Sequence, residues 1–488
     1  MQVKNILTKL LDNDQGSLDR SSMILGHIAM LVLVFFSIRY YQERLLLIDA
    51  SYYTFNILQD ETFFIAHHRY INYFNQWLPL LLIKLGVNLK GVMISYSLSF
   101  VLFYYALFYI IGYLFKNPKV ALFMVATLLL TGRFKHYMAV TETTSTLALS
   151  FLFIGWITRE RYLVAMHEWR EWLVAFGFIL ILLIGHPIVF LPLMSFGVFY
   201  IAFYGLIKNP YAWLTFGLIV LGFILRYLII PSVGYETDKL DAFEKSYEII
   251  TTIFQQNTYR SMKGYVLANF KWGYYLYLAS LVALVYMRKY IAAAISLVTI
   301  ICYLCVVVIV YYEGESINML ESYYLYIGYF WGFTIMSVHA YLKVPTWAKI
   351  LPILFVMFMG VRGLFMYGSF FTDRLEYLHS LSDEGASMGQ PKVLYPRSKI
   401  NSRQVLVPWS VPFTTAMYSA IKDPNDMRSV YIYSDSQLES LKKLNSSDVF
   451  FGAPFKLDQF TASDLSKNYF DLKESEYSII EKAIERQE

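Results

Sequence analysis

The sequence predicts an α-helical polytopic membrane protein with about eleven transmembrane helices and a small mixed α/β domain at its C-terminal end. Three observations carry this. Of the 488 residues 57% are hydrophobic and only 16% are charged, whereas soluble chains carry about 25% charged residues. Apolar runs near the ~20 residues that cross a bilayer recur as far as residue 367. Beyond about residue 368, Ser, Asp, Lys and Asn become frequent and short β-like runs appear.

Residues 1–22 are mostly polar, and the first apolar run, MILGHIAMLVLVFFSIRYY, ends without a small-residue cleavage site. It is expected to stay as the first span. Spans are predicted at about 23–42, 91–115, 119–132, 142–158, 172–186, 188–207, 211–230, 272–287, 290–312, 322–341 and 347–367. The run 76–86 (QWLPLLLIKLG) is too short to cross and reads as a helix in the interface. Cys302 and Cys305 form a CxxC inside an unbroken apolar run, where thiols lack the polar access that redox or metal chemistry needs.

Basic residues fix the expected orientation. With the N-terminus inside, the inner segments hold Lys4, Lys9, Arg20, Lys116, Lys119, Arg159, Arg161, Arg170, Lys208, Arg288, Lys289, Lys343 and Lys349. The short outer loops hold Arg133 and Lys135. The chain then divides into a cytoplasmic segment 1–22, a transmembrane domain 23–370 with outer loops 43–90 and 231–271, and an extracytoplasmic domain 371–488. Within the last, QVLVPWSVPF and SVYIYSD read as strands and 380–395 as a linker. A net charge of +5, held mostly in loops, gives no footprint for nucleic acid. Few cysteines with abundant Lys, Tyr, Phe and Ile suggest a bacterial inner membrane, its outer face periplasmic.

Ionisable residues gather at the outer ends of the spans. The stretch LLLIDASYYTFNILQDETFFIAHHRYINYF (45–74) holds Asp49, Asp60, Glu61, His67, His68 and Arg69. TGRFKHYMAVTETTST brings Arg133, Lys135, His136 and Glu142; His186, Arg226, Glu321 and Arg362 lie at the same level. Glu313 and Glu315 flank the loop before span ten, and NSS at Asn445 is a glycosylation sequon by pattern. A charge in hydrocarbon costs roughly 2.5–3.5 kcal/mol by insertion scales, so many on one side indicate a wet cavity in the outer leaflet. An amphiphilic phosphate needs Arg, Lys or His at headgroup level, and a carboxylate there can deprotonate an acceptor hydroxyl. Tyr52, Tyr53, Phe63 and Trp77 suit sugar faces and equally an interfacial belt.

In this arrangement the chain resembles the GT-C superfamily of membrane glycosyltransferases. IDASYYT looks like the acid-containing sequence after the first span of many members, and HYMAVTETTSTLALSFLF is similar to the segment opening their fourth span. The resemblance implies sugar transfer from a polyprenyl-phosphate-type donor to a protein, lipid or glycan acceptor. It makes Asp49 the base, with Glu142 as a second acid; the Asp60–Glu61 pair is a further candidate, and the charge pattern itself assigns Arg362, Arg226, His67, His68 and Arg69 to the donor phosphate. His186, Glu321 and Lys135 would complete the cavity. The usual Asp-Glu pair is absent at Asp49-Ala50, which leaves open the choice of base and the need for a divalent metal such as Mg²⁺ or Mn²⁺. A transporter or flippase of a lipid-linked glycan, or a non-catalytic scaffold, is the alternative.

Overall fold

A computed structural model describes residues 2–66, 68–159, 168–230, 241–312, 314, 317–341, 346–452 and 456–480. The first apolar run lies in α1 (Gln2–Arg39), followed by α2 (Tyr41–Leu45), α3 (Asp49–Asp60) and α4 (Asn72–Lys84). Next come α5 (Leu89–Tyr109, extended by a π turn to Leu114), α6 (Pro118–Thr131), α7 (Phe134–Tyr137) and α8 (Glu142–Ile157). They are followed by α9 (Trp169–Leu183), α10 (Phe190–Tyr204), α11 (Pro210–Ile229), α12 (Ser246–Thr251) and α13 (Asn257–Asn269). The last long helices are α14 (Lys271–Tyr286), α15 (Tyr290–Val310), α16 (Ile317–Tyr341) and α17 (Thr346–Ser387). Among the described residues six stretches are helical, long and apolar enough to cross a membrane: 18–39, 89–114, 187–204, 210–229, 290–310 and 347–387. The other five apolar runs also fold as helices.

Local chemistry sets several boundaries. Asn117 and Asn209 cap α6 and α11 with their side chains, each followed by a proline at the first helical position, where its missing N–H costs nothing. Gly360 brings α17 against α6: a Cβ there would sit 2.7 Å from the Leu129 carbonyl oxygen.

The C-terminal region contains β1 (Lys392–Pro396), α18 (Ser402–Val405), α19 (Val411–Lys422), β2 (Ser429–Tyr433), α20 (Leu438–Leu444), β3 (Val449–Phe450), β4 (Phe460–Thr461) and β5 (Ser478–Ile479). One parallel sheet has the order β2-β1-β5, and β3 pairs antiparallel with β4. SVYIYSD is a strand as expected, but QVLVPWSVPF is not. Pro412 opens α19, whose Val411, Ala416, Met417 and Ala420 are buried. The expected linker at 380–395 is likewise corrected. There α17 runs on to Ser387 because Leu378 and Leu381 pack against Val393 and Tyr395 in the domain core. Asn445 is engaged, its amide bonding both ways with the Tyr477 backbone.

The domain sits on α3. Phe55 packs against Phe413, Phe450 and Phe470, with ring centroids 4.9–5.5 Å away. Gln59 donates to the Asp464 carbonyl (2.7 Å) and accepts from the Ser466 N–H (2.9 Å).

Candidate functional site

The site begins at a strained turn. Leu45 to Ile48 are buried, and Ile48 has φ +46° and ψ −122°, a conformation that normally selects glycine. The Leu47 carbonyl accepts from Ala50 N–H at 3.0 Å. One residue earlier, the Leu46 carbonyl accepts from Arg374 Nη1 (3.1 Å) and Thr414 Oγ1 (3.0 Å). The turn delivers Asp49 as the exposed first residue of α3.

One turn further, the Tyr53 hydroxyl donates to Glu142 Oε1 at 3.2 Å. Burial, Glu142 and Asp49 push the Tyr53 phenol far above its usual range, so it stays a donor. Glu142 is the first residue of α8. Both acids therefore open helices, where the macrodipole favours the carboxylate.

Lys135, on α7, lies in their field. Burial pushes its ammonium below the usual lysine range, while Asp49, Glu321 and Glu142 act to keep it charged. Its hydrogen-bond partner among the described residues is the Met138 sulfur, 3.7 Å away. His186 is held neutral by burial and by Arg69, Arg226 and Lys135. Its Nδ1 accepts from the Ile188 N–H at 3.3 Å, which leaves the ring proton on Nε2. Tyr326 of α16 lies within electrostatic reach of both Arg69 and Glu142. Lys135 thus stands in the field of Asp49 and Glu142 on one side and of His186 on the other, and His186 in that of Arg69 and Arg226, although these residues span positions 49 to 226.

A cavity opens behind Lys135, lined by Arg44, Tyr104, His136 and Thr144 and walled by Leu33, Val101 and Leu128. Arg44 donates to the His136 ring (2.7 Å) and to Ser97 Oγ (2.9 Å). Burial lowers its pKa to about 10.

Other predicted residues stand elsewhere. Arg362 is exposed, in phase with the exposed Phe358, Phe365 and Met366. The flanking Gly360 and Gly363 face the opposite way, against Leu129 and Arg133. The glycines serve helix packing, and Arg362 stands on the outward face of α17. Asp60 is exposed at the end of α3, and Glu61 accepts from Asn468 Nδ2 at 2.6 Å, tying the loop to the C-terminal domain. His68 is exposed beside Tyr70; His67, Glu313 and Glu315 lie outside the described residues. Glu321 is fully buried and occupied by the Lys135 N–H (2.9 Å) and the Tyr265 hydroxyl. It anchors α7.

Arg44 and Arg374 escaped the sequence reading. Each is a lone cation just beyond an apolar run, and each is 1–2% exposed. Their signal is only a charge adjoining apolar residues, in ERLLLI and DRLEYL. Among the described residues no group of three or more His, Cys, Asp or Glu could hold a metal ion. No family model, curated protein or solved structure matches the chain.

Proposed function

We propose that this chain is a glycosyltransferase with eleven spans, its N-terminus cytoplasmic and its C-terminal domain outside, in a bacterial inner membrane. It transfers a sugar from a polyprenyl-phosphate donor to a hydroxyl acceptor. The observation that carries the reading is the joining of two helix-opening acids, Asp49 on α3 and Glu142 on α8, through the Tyr53 hydroxyl of α3 at 3.2 Å from Glu142, with the buried cation Lys135 in their field. Asp49, at the exposed start of α3, takes the proton of the acceptor hydroxyl as its oxygen attacks the anomeric carbon. The bond from that carbon to the phosphate oxygen breaks, and the electron pair leaves with the phosphate. Arg69 and Arg226 neutralise this leaving group, and His186 donates to it from Nε2. Such preorganised donors act strongly in a low-dielectric site. Glu142, held by Tyr53, and Lys135 set the field around the reacting atoms.

The transporter reading is less well supported, since a conduction path needs polar groups through the full depth. A second cavity, between α10, α15 and α16, is lined by Ser195, Ser296, Thr299, Thr334 and phenylalanines, with no ionisable side chain.

Asp49→Asn tests the proposal. Transfer of labelled sugar from a polyprenyl-phosphate donor is expected to fall by about 10²–10⁴-fold. Weakening the charge at the start of α3 costs only about 0.3–1 kcal/mol of stability. A variant that folds and keeps more than about a tenth of wild-type turnover removes Asp49 as the base.

A further inference from the structure

Helix α4 is built inside out. Asn72, Asn75 and Gln76 are all 0% exposed, while Tyr73, Phe74 and Trp77 face outward, Trp77 at 66%. A helix on a soluble protein does the reverse. The outward face suits lipid, so the inward polar face needs its own explanation.

Gln76 supplies one. Its amide bonds both ways with the Phe64 backbone, at 2.7 and 2.9 Å. Asn75 is half satisfied: Nδ2 donates to Ser145 Oγ at 3.3 Å, and Oδ1 meets no partner among the described residues. Asn72 is satisfied at neither its nitrogen nor its oxygen, and the buried hydroxyls of Thr144 and Tyr326 are likewise without partners among those residues. Buried polar groups are almost always hydrogen-bonded, and each one left unpaired lowers stability. Unpaired amides and hydroxyls of this kind can take hydrogen bonds from a ligand as donors and as acceptors.

Its location narrows the ligand. The Asn72 N–H bonds the Arg69 carbonyl at 3.1 Å, and Tyr326 stands within reach of Arg69 and Glu142. Asn72 thus stands one turn along the chain from Arg69, and Asn75, through Ser145, stands one turn of α8 from Glu142. We infer that the inward face of α4 is the sugar subsite, that Asn72 and Asn75 bind ring hydroxyls there, and that the ring is uncharged and polyhydroxylated. A hydroxyl both donates and accepts, as an amide does. A carboxylated sugar would set its charge against Glu142. This inference rests on the glycosyl-transfer reading.

Binding of three probes to the full chain in lipid nanodiscs tests it: a polyprenyl phosphate bearing a neutral hexose, the same lipid bearing a hexuronic acid, and the bare lipid phosphate. The wild type is expected to bind the hexose lipid most tightly. Asn72→Leu should weaken the hexose lipid about tenfold, as loss of one or two hydrogen bonds predicts, and leave the bare lipid within about twofold. The same variant should unfold at an equal or higher temperature, because it removes an unpaired amide; Asn75→Leu is the second variant. If the bare lipid binds but neither substitution changes the preference for hexose, or the hexuronic lipid binds best, the sugar subsite is overturned. If neither hexose lipid nor bare lipid binds the wild type, the glycosyl-transfer reading itself is overturned, and this inference with it.

Discussion

Arg374→Met should disable the turn that presents Asp49 while leaving the protein folded. Ile48, a β-branched residue at φ +46°, stores about 1–3 kcal/mol of backbone strain. The Leu46 carbonyl before it is gripped by Arg374 and Thr414. A bond from a charged donor contributes about 1.5–3 kcal/mol and a neutral one about 1. With both in place the grip exceeds the strain. With Thr414 alone it falls short by about 1 kcal/mol, which leaves roughly one molecule in six with the turn closed. Turnover should therefore drop about sixfold, with the donor KM within about twofold of wild type.

Overall stability should change little, because the substitution also removes Nε and Nη2, which meet no partner among the described residues. Adding Ile48→Gly removes the strain and should restore turnover, even as loss of a buried isoleucine costs about 2–5 kcal/mol. The assays are steady-state sugar transfer and amide hydrogen exchange across residues 46–51, which should open in the single variant and close again in the double. Wild-type turnover in Arg374→Met, or a double variant as slow as the single one, would refute the reasoning.

Three further outcomes follow from the same geometry. Arg69→Ala should weaken binding of a polyprenyl-phosphate sugar by tenfold or more, as loss of a charge-assisted bond implies (about 1.5–3 kcal/mol), whereas Arg362→Ala should not; equal effects in titrations would contradict the placement of Arg362 on the outward stripe. Gly360→Ala should lower the thermal midpoint, since its Cβ meets the Leu129 backbone at 2.7 Å and overpacking costs about 1–3 kcal/mol; an unchanged midpoint would deny the close approach of α6 and α17. Lys392 is buried on the carbonyls of Ser447 and Val449, and burial lowers its pKa from 10.5 to about 8. Between those values the unfolded chain binds more protons than the folded one, so stability should rise with pH across that window; denaturant midpoints from pH 7.5 to 10.5 that stay as flat in wild type as in Lys392→Met would count against it.

The helices were legible because length and apolarity alone decide whether a run can span a bilayer, and all eleven runs are helical. Asp49, Lys135, Glu142, His186 and Arg226 were legible for a related reason: a charge at the end of an apolar run has to be accommodated. Arg362 satisfies the same rule and yet stands on the outward face of α17. Its phase decides this, since Phe358 and Phe365 share its exposed face, and a face is defined only by what packs on it. Arg374 failed in the opposite way. Because the composition changes near residue 368, it read as the start of a soluble region, whereas α17 carries it into the buried junction between the membrane helices and the C-terminal domain.

Helix α4 shows why direction is the missing quantity. NYFNQWLPLLLIK alternates polar and apolar residues as any interfacial helix would, and the pattern is the same whichever face turns inward. In water the apolar face must be buried, so the pattern alone gives the orientation. Beside lipid that driving force vanishes, because hydrocarbon tails are as apolar as leucine. Orientation is then left to the polar groups, which seek one another. Asn75 finds Ser145 and Gln76 finds Phe64, and these contacts turn the amides inward and Trp77 outward. The partners come from α8 and from the loop before α4, so the facing of α4 becomes readable only once α8 is in place beside it. The same contacts leave Asn72 next to Arg69, unpaired among the described residues. The orientation of α4 and its proposed sugar site thus have one cause, the search of buried amides for partners where water is scarce.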